Sequence, residues 1–161
     1  MSRAERISAL AYEPAAEPCE TVTACNLCGA TRLVELARRD RYGYASVLVA
    51  CARCGLAFLS QRPTADAYAR FYERTYRPLV SAYHGRRIDA ETVQLEQRDY
   101  ADALAAFLAP LLPYPPRSIL DVGGSTGIVA GVIGARLDAR ATVLDPAPDE
   151  LALADAAGME T

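Results

Sequence analysis

The chain contains no lysine, because all 17 of its basic residues are arginine. This absence excludes a Schiff-base lysine and a Walker-type phosphate-binding lysine as the source of any activity. Long apolar segments are also missing. The longest apolar stretch, residues 104–112, contains Pro110, is followed by Pro113, and is shorter than the roughly 20 residues that a membrane-spanning helix needs. The first residues likewise lack the apolar core of a secretory signal peptide, so we expect a cytoplasmic protein that does not enter a membrane.

A surplus of positive charge is also absent. The formal net charge is -3, and the sequence pI is about 5.2. Binding to nucleic acid or to an anionic membrane needs a concentrated basic face, so neither is expected as a partner. Hydrophobic residues make up 52% of the chain and charged residues 23%, proportions that indicate a folded globular protein.

The order of composition and motifs predicts an α/β protein in four parts. Residues 1–20 are predicted to form a flexible leader, and residues 21–62 a small β-rich, zinc-ribbon-like domain. Residues 63–116 are predicted to form a helical linker region. Residues 117–161 alternate strand and helix, and are predicted to form the first β-α-β-α part of a Rossmann-like sheet.

Two helices are predicted in the linker region. Thr64 is a candidate N-cap for a helix that runs to about Arg74, and Pro78 is expected to end that element and leave residues 75–88 irregular. A longer helix, capped by Asp89, is predicted from about residue 90 to 108. Its expected buried face consists of Tyr100, Leu104, Phe107, Leu108 and Leu111.

Four cysteines form two matched pairs, Cys25-Asn-Leu-Cys28-Gly and Cys51-Ala-Arg-Cys54-Gly, with 22 residues between the pairs. Two residues between ligands let one tight turn direct both thiolates at one ion, and the following glycine permits the positive φ of such a turn. Four thiolates leave no open coordination position, so we predict a structural zinc ion. The alternatives are two disulfides or four buried thiols, and Cys19 lies outside the array.

A second motif lies near the end of the chain, where Ser-Ile-Leu-Asp121-Val leads into Gly123-Gly124-Ser125-Thr126-Gly127. A strand, an acid and glycines at the start of a helix are typical of a nucleotide-cofactor site. The next predicted strand ends in Asp145, 24 residues beyond Asp121, where an acid would accept hydrogen bonds from ribose hydroxyls. No glycine fits the G-x-G-x-x-G register of nicotinamide-binding proteins. The plain alternative is a strand–helix junction whose glycines serve packing alone.

The segment Leu-Asp121-Val-Gly123-Gly124-Ser-Thr-Gly127 resembles the first motif of class I S-adenosylmethionine-dependent methyltransferases, and Val-Leu-Asp145-Pro resembles their second. The cysteine pairs, the segment from Cys54 to Thr64 and the aromatic segment from residue 68 to 76 resemble a bacterial branch with an N-terminal zinc-binding domain. The likeness covers roughly residues 22–161.

The resemblance implies that the glycine turn, with Ser125 in it, cradles the amino-acid end of S-adenosylmethionine. Asp121 would orient the ammonium group, directly or through water, and Asp145 would bind the ribose. The usual motif has glycine where this chain has Ser125, so the serine would either crowd the cofactor or donate a hydrogen bond to its carboxylate.

The family's core is a seven-stranded sheet, so the resemblance also implies that this chain holds only the N-terminal part of one. We therefore expect a fragment, a truncated product or half of a split enzyme, which alone binds cofactor weakly and is poorly active, and which a second chain would complete. The expected acceptor is a small molecule such as a sugar, a nucleotide sugar or a secondary metabolite. The alternative function is a non-catalytic zinc module that docks a partner and carries a remnant fold; an oxidoreductase is a further rival.

The only histidine, His84, is a candidate proton acceptor from the methyl acceptor, and an exposed loop histidine is the alternative. Five aromatic residues would either line a substrate entrance or pack within helices: Tyr68, Phe71, Tyr72, Tyr76 and Tyr83.

Overall fold

The computed structural model describes all residues, 1–161, and shows a mixed α/β protein. The chain divides into two compact units, residues 1–71 and residues 72–161. No helix in it combines the length and the apolarity that crossing a bilayer requires.

The N-terminal segment, expected to be a flexible leader, contains regular structure. Helix α1 (Arg3–Ser8) begins with a capping box, in which the Ser2 hydroxyl accepts from the Glu5 N–H and the Glu5 carboxylate accepts from the Ser2 N–H. Strand β1 (Cys19–Thr21) pairs antiparallel with β5 (Gln61–Pro63). The prediction missed this because a strand of three residues has no visible hydrophobic period, and its partner lies about 40 residues away.

A three-stranded antiparallel sheet forms the centre of the first unit. Its order is β2 (Leu33–Arg39), β3 (Ala45–Cys51), β4 (Ala57–Leu59). The β2–β3 loop is closed by Asp40, whose carboxylate accepts the N–H groups of Tyr42 and Tyr44 at 2.9 and 3.0 Å. The register places Leu33 opposite Cys51, so the two cysteine pairs lie at the same end of the hairpin.

Helix α2 (Ala65–Arg70) is capped by Thr64 as predicted, its hydroxyl accepting from the Ala67 N–H. A π-helical turn (Phe71–Thr75) and helix α3 (Tyr76–His84) follow. The prediction that Pro78 ends the element and leaves residues 75–88 irregular is wrong. Pro78 is the third residue of α3, directly after the π-helical turn, where the helical hydrogen-bond pattern is already irregular and accommodates a residue without an N–H.

Helix α4 (Ala90–Leu108) has the predicted bounds and the predicted cap, with Asp89 accepting from the Thr92 N–H at 3.0 Å. Its predicted buried face is wrong in part, since of the predicted residues only Leu104 and Leu108 are half-buried. The buried residues are Val93, Ala101 and Ala105, whereas large residues of the predicted face, Tyr100, Phe107 and Leu111, are exposed. The physical reason is that α4 packs along α5 (Ile128–Leu137), where small side chains allow the helices to approach closely.

A parallel β-α-β arrangement forms the centre of the second unit. Strand β6 (Ser118–Val122) leads through α5 to β7 (Arg140–Leu144), and α6 (Pro148–Ala156) follows. The two strands pair in parallel from Ser118 opposite Arg140 to Val122 opposite Leu144. Beyond α6, Glu160 makes an isolated parallel bridge to Thr142 on the outer edge of β7.

One face and one edge of this small sheet are uncovered. Leu120, Val122 and Leu144 are 60%, 75% and 48% exposed, whereas Val143, on the opposite face, is fully buried with Ala130 and Ala154. Strand β6 pairs only with β7, so its other edge carries no neighbouring strand.

Candidate metal centre and candidate cofactor cleft

The two cysteine pairs lie on turns with the same backbone geometry. Gly29 N–H donates to the Cys25 carbonyl and Gly55 N–H to the Cys51 carbonyl, both at 2.9 Å. The two glycines have φ of 72° and 79°, the left-handed conformation expected after the second cysteine of each pair. The matched turns bring the four thiols to one point.

The four sulfurs cluster as a possible metal site. All lie within 4.8 Å of one another, with Cys25 to Cys54 and Cys28 to Cys51 at 3.5 Å. A tetrahedral zinc ion with Zn–S bonds of about 2.3 Å would separate its sulfurs by about 3.8 Å, so the cluster fits zinc with small adjustments. All five cysteines are free thiols, and Cys19 is exposed and apart from the cluster.

Backbone N–H groups, burial and the neighbouring sulfurs shift the pKa values of Cys51 and Cys28 in opposite directions. Backbone N–H groups, first that of Cys54 and then that of Arg53, lower the pKa of Cys51 to about 6. The N–H of Ala30 acts to lower the pKa of Cys28, but burial and the neighbouring sulfurs outweigh it and raise that pKa to about 12. Four thiolates cannot share this space without a cation, and a divalent metal would supply that charge.

The glycine turn between β6 and α5 is built from alternating left-handed residues. Gly123, Ser125 and Gly127 have φ of 79°, 54° and 73°. Gly124 has ordinary φ but no room, since an added Cβ would lie 2.8 Å from both the Asp121 Cγ and a Val143 methyl group. Ser125 therefore has a backbone conformation that favours glycine, whereas Gly124 lies where there is no space for a side chain.

The two acids lie near the carboxyl ends of neighbouring parallel strands, Asp121 as the penultimate residue of β6 and Asp145 directly after β7, but they have different surroundings. Asp145 accepts the Ser125 N–H at 2.8 Å and the Ala147 N–H at 2.9 Å. Asp121 lies behind Gly124 and accepts no hydrogen bond within the protein. Burial first, and the charge of Asp145 second, raise the pKa of Asp121.

A cleft of about 660 Å³ lies in front of this turn. Among the predicted cofactor residues, Gly123, Ser125 and Asp145 line it, whereas Asp121, Gly124 and Gly127 do not. Gly127 instead leaves space for Met159, whose terminal methyl group would lie 2.6 Å from an added Cβ. The aromatic residues Tyr72 and Tyr76 also line the cleft.

The candidate base His84 is not part of the cleft lining. It is the exposed last residue of α3, and its ring makes an edge contact with Tyr83 at 5.2 Å.

The cleft also contains an ion pair that sequence analysis did not identify. Arg77 of α3 donates from Nε and Nη2 to the two carboxylate oxygens of Glu150 in α6, at 2.5 and 2.6 Å. Both residues bond to the Ser125 hydroxyl, Arg77 at 2.9 Å. Burial alone would raise the pKa of Glu150, but the hydrogen bonds from Arg77 and Ser125 outweigh it and hold the pKa below its usual value. No local signal marks this pair, because its members are 73 residues apart.

Neither a scan against protein-family models nor a search of curated proteins finds a match to this chain. The case for a function therefore depends on the geometry of the cysteine cluster and of the cleft.

Proposed function

We propose that the chain is the zinc-bearing, cofactor-binding part of an S-adenosylmethionine-dependent methyltransferase that acts on a small acceptor. The observation that carries the proposal is the cleft itself: Gly123, Ser125 and Asp145 line it at the carboxyl end of a parallel β-α-β arrangement. Ligands of α/β proteins bind at that end of the strands. S-adenosylmethionine would supply a methyl group on a sulfonium sulfur, and the chain's residues would bind and orient that cofactor.

Asp145 would hold the ribose. Its two oxygens accept N–H groups from Ser125 and Ala147, and each carboxylate oxygen has a second lone pair for a ribose hydroxyl. The backbone bonds fix the carboxylate before a ligand arrives, so little side-chain entropy would be lost on binding. Asp121, behind the turn, would act on the ammonium group through water.

The charges of the cleft favour this cofactor over a dinucleotide. The lining carries the acids Asp145 and Glu150 and a single cation, Arg77, and Asp121 adds negative charge from behind the turn. S-adenosylmethionine has two cationic groups and one carboxylate, which suits this balance. The pyrophosphate of a nicotinamide or flavin dinucleotide would meet more negative than positive charge.

The open sheet supports the expectation that further strands complete the enzyme. The unpaired edge of β6 and the exposed Leu120 and Val122 would be covered in a finished sheet. The proposed source of those strands is a second chain or the rest of a longer protein, and the acceptor-binding residues would come largely from them. Tyr72 and Tyr76 are the candidates for the acceptor side in this chain.

The test is a ligand titration followed by protein NMR, which measures weak binding directly. Wild-type chain should bind S-adenosylmethionine and not NAD. Asp145→Asn should weaken that binding about 10-fold or more, since it converts an acceptor of two ribose hydroxyls into a partial donor. Asp149→Asn, an exposed acid in the first turn of α6, is the matched control and should change nothing. Preference for NAD, or equal effects of the two substitutions, would contradict the proposal.

A second candidate function has one observation in its favour. Leu27, on the first cysteine turn, is 71% exposed, and Val34 and Leu36 on the edge strand β2 are 50% and 56% exposed. Large exposed apolar residues on the metal-bearing unit favour a non-catalytic zinc module that docks a partner protein. If Leu27→Ser abolishes assembly with a co-purifying chain while ligand binding is absent in the wild type, this function replaces the first.

A further inference from the structure

Arg77 is held in place by three hydrogen bonds, yet part of its guanidinium is unused. Its Nε and Nη2 groups donate to Glu150 and Ser125, and the guanidinium lies over the Tyr76 ring at 5.4 Å. Its side chain is 23% exposed and belongs to the cleft lining. No protein atom accepts a hydrogen bond from Nη1, so two N–H donors are available at a fixed position.

The position of the Arg77 guanidinium is fixed by Glu150 in α6 and by Ser125 in the glycine turn. The Glu150 side chain is only 10% exposed and receives both Arg77 and the Ser125 hydroxyl. Ser125 belongs to the glycine turn, and its N–H donates to Asp145. A single chain of hydrogen bonds therefore links Arg77 to the carboxylate proposed to bind ribose.

We propose that Arg77 recognises the carboxylate of the amino-acid end of S-adenosylmethionine, with Glu150 and Ser125 as the residues that position it. The inference rests on the proposed function. Arg77 is the only cationic side chain that lines the cleft, and the cofactor has one anionic group. The spare Nη1 donors would make charge-assisted hydrogen bonds to it, which are about twice as strong as neutral ones.

The competing explanation is that Arg77 only ties α3 to α6 and the glycine turn. A pair of cofactors separates the two roles, because decarboxylated S-adenosylmethionine has the adenosine, the sulfonium and the amine but no carboxylate. A residue that recognises the carboxylate changes the affinity for one of these ligands. A residue that only maintains the cleft changes the affinity for both.

The experiment is an NMR titration of the full chain with each ligand separately. The wild type should bind S-adenosylmethionine about 10- to 100-fold more tightly than the decarboxylated compound, the range expected for a charge-assisted contact. Arg77→Gln should remove that preference and leave the affinity for the decarboxylated compound unchanged. Arg74→Gln, at an arginine whose side chain is 72% exposed, is the control and should retain the preference.

A second variant is needed as a control, because Arg77→Gln leaves the buried Glu150 carboxylate without its partner and could distort the glycine turn. Arg77→Gln combined with Glu150→Gln removes both charges and should again bind the two ligands equally. Equal losses for both ligands in either variant, or a preserved preference, would overturn the role of Arg77 while the proposed function stands. A wild type that binds neither ligand would instead overturn the proposed function.

Discussion

The cysteine cluster allows a prediction whose size follows from the structure. We expect Cys54→Ser to weaken zinc binding about 100- to 1000-fold. A structural zinc ion contributes roughly 10–16 kcal/mol of apparent binding free energy, so one thiolate of four accounts for about 2.5–4 kcal/mol. Cys19→Ser is the matched control, because Cys19 is exposed and outside the cluster.

The loss of metal should be visible in the folding of the first unit. Apart from Cys25 and Cys51, its buried hydrophobic residues are only Ile7, Val49 and Ala67. Fully burying an aliphatic side chain contributes about 1.5–3 kcal/mol, so these residues together contribute less than the metal. We therefore expect the first unit to lose its folded structure when zinc is removed.

Hydrogen exchange measured by mass spectrometry is the assay, since it reports each segment separately. After chelation, or in Cys54→Ser, amide protection should fall across strands β2 and β3 and persist in helices α4 and α5. Competition with a metal-sensitive dye gives the affinities. Undiminished protection of β2 and β3 in metal-free protein, or equal effects of the Cys54 and Cys19 substitutions, would refute the reasoning.

Four further predictions concern the second unit. Gly124→Ala should destabilise it by about 1–3 kcal/mol, because the added Cβ meets Asp121 and Val143 at 2.8 Å, whereas Gly131→Ala, with only ordinary contacts at 3.5 Å, should be neutral or slightly stabilising in urea titrations. Burial raises the pKa of Asp121, so the folded state keeps this proton to higher pH, and stability falls as the pH rises from the unfolded pKa to the folded pKa. Asp121→Asn should therefore melt at a higher temperature than wild type near pH 7. Below the unfolded pKa of Asp121, the two proteins should melt at the same temperature. The pKa of Glu150 is lowered, so its contribution is present above the unfolded pKa and lost as pH falls through the folded pKa; Glu150→Gln should cost about 1–3 kcal/mol at pH 7 and converge with wild type on acidification. Ser125→Ala should be less stable than Ser125→Gly by about 1–2 kcal/mol in urea titrations, since only alanine retains the left-handed strain, and equal stabilities would contradict that account.

Local chemistry explains what the sequence predicted correctly. The caps Thr64 and Asp89 are side-chain bonds to a backbone N–H three residues away, and both are present as predicted. The cysteine spacing and the glycines after Cys28 and Cys54 likewise specify turns of a few residues. The strand and the helix predicted on either side of the glycine turn are both present, as β6 and α5. Each of these predictions depends only on residues that are close together in the sequence.

The errors arise where the outcome depends on a distant partner. The face of α4 that turns inward is chosen by the close approach of α5, so Ala101 and Ala105 are buried while Phe107 is exposed. The ion pair of Arg77 with Glu150 joins two helices that no period or spacing relates. The hydrophobic pattern of a helix shows which face could be buried, but the tertiary structure decides which face has a packing partner.

The glycine turn has Gly124 and Ser125 where the methyltransferase motif has its glycine at position 125, and the structure gives a physical reason for that difference. The sequence alone presents Ser125 as a departure from the methyltransferase motif. In the structure, Gly124 occupies the position where packing against Asp121 and Val143 leaves no space for a Cβ, so glycine is required there. Ser125 adopts φ of 54°, a conformation that costs a non-glycine residue about 1–2 kcal/mol. Its hydroxyl bonds to Glu150, and those contacts offset the strain while keeping the backbone N–H directed at Asp145. Serine at position 125 therefore has less conformational freedom than glycine, but its side chain holds the turn in one conformation.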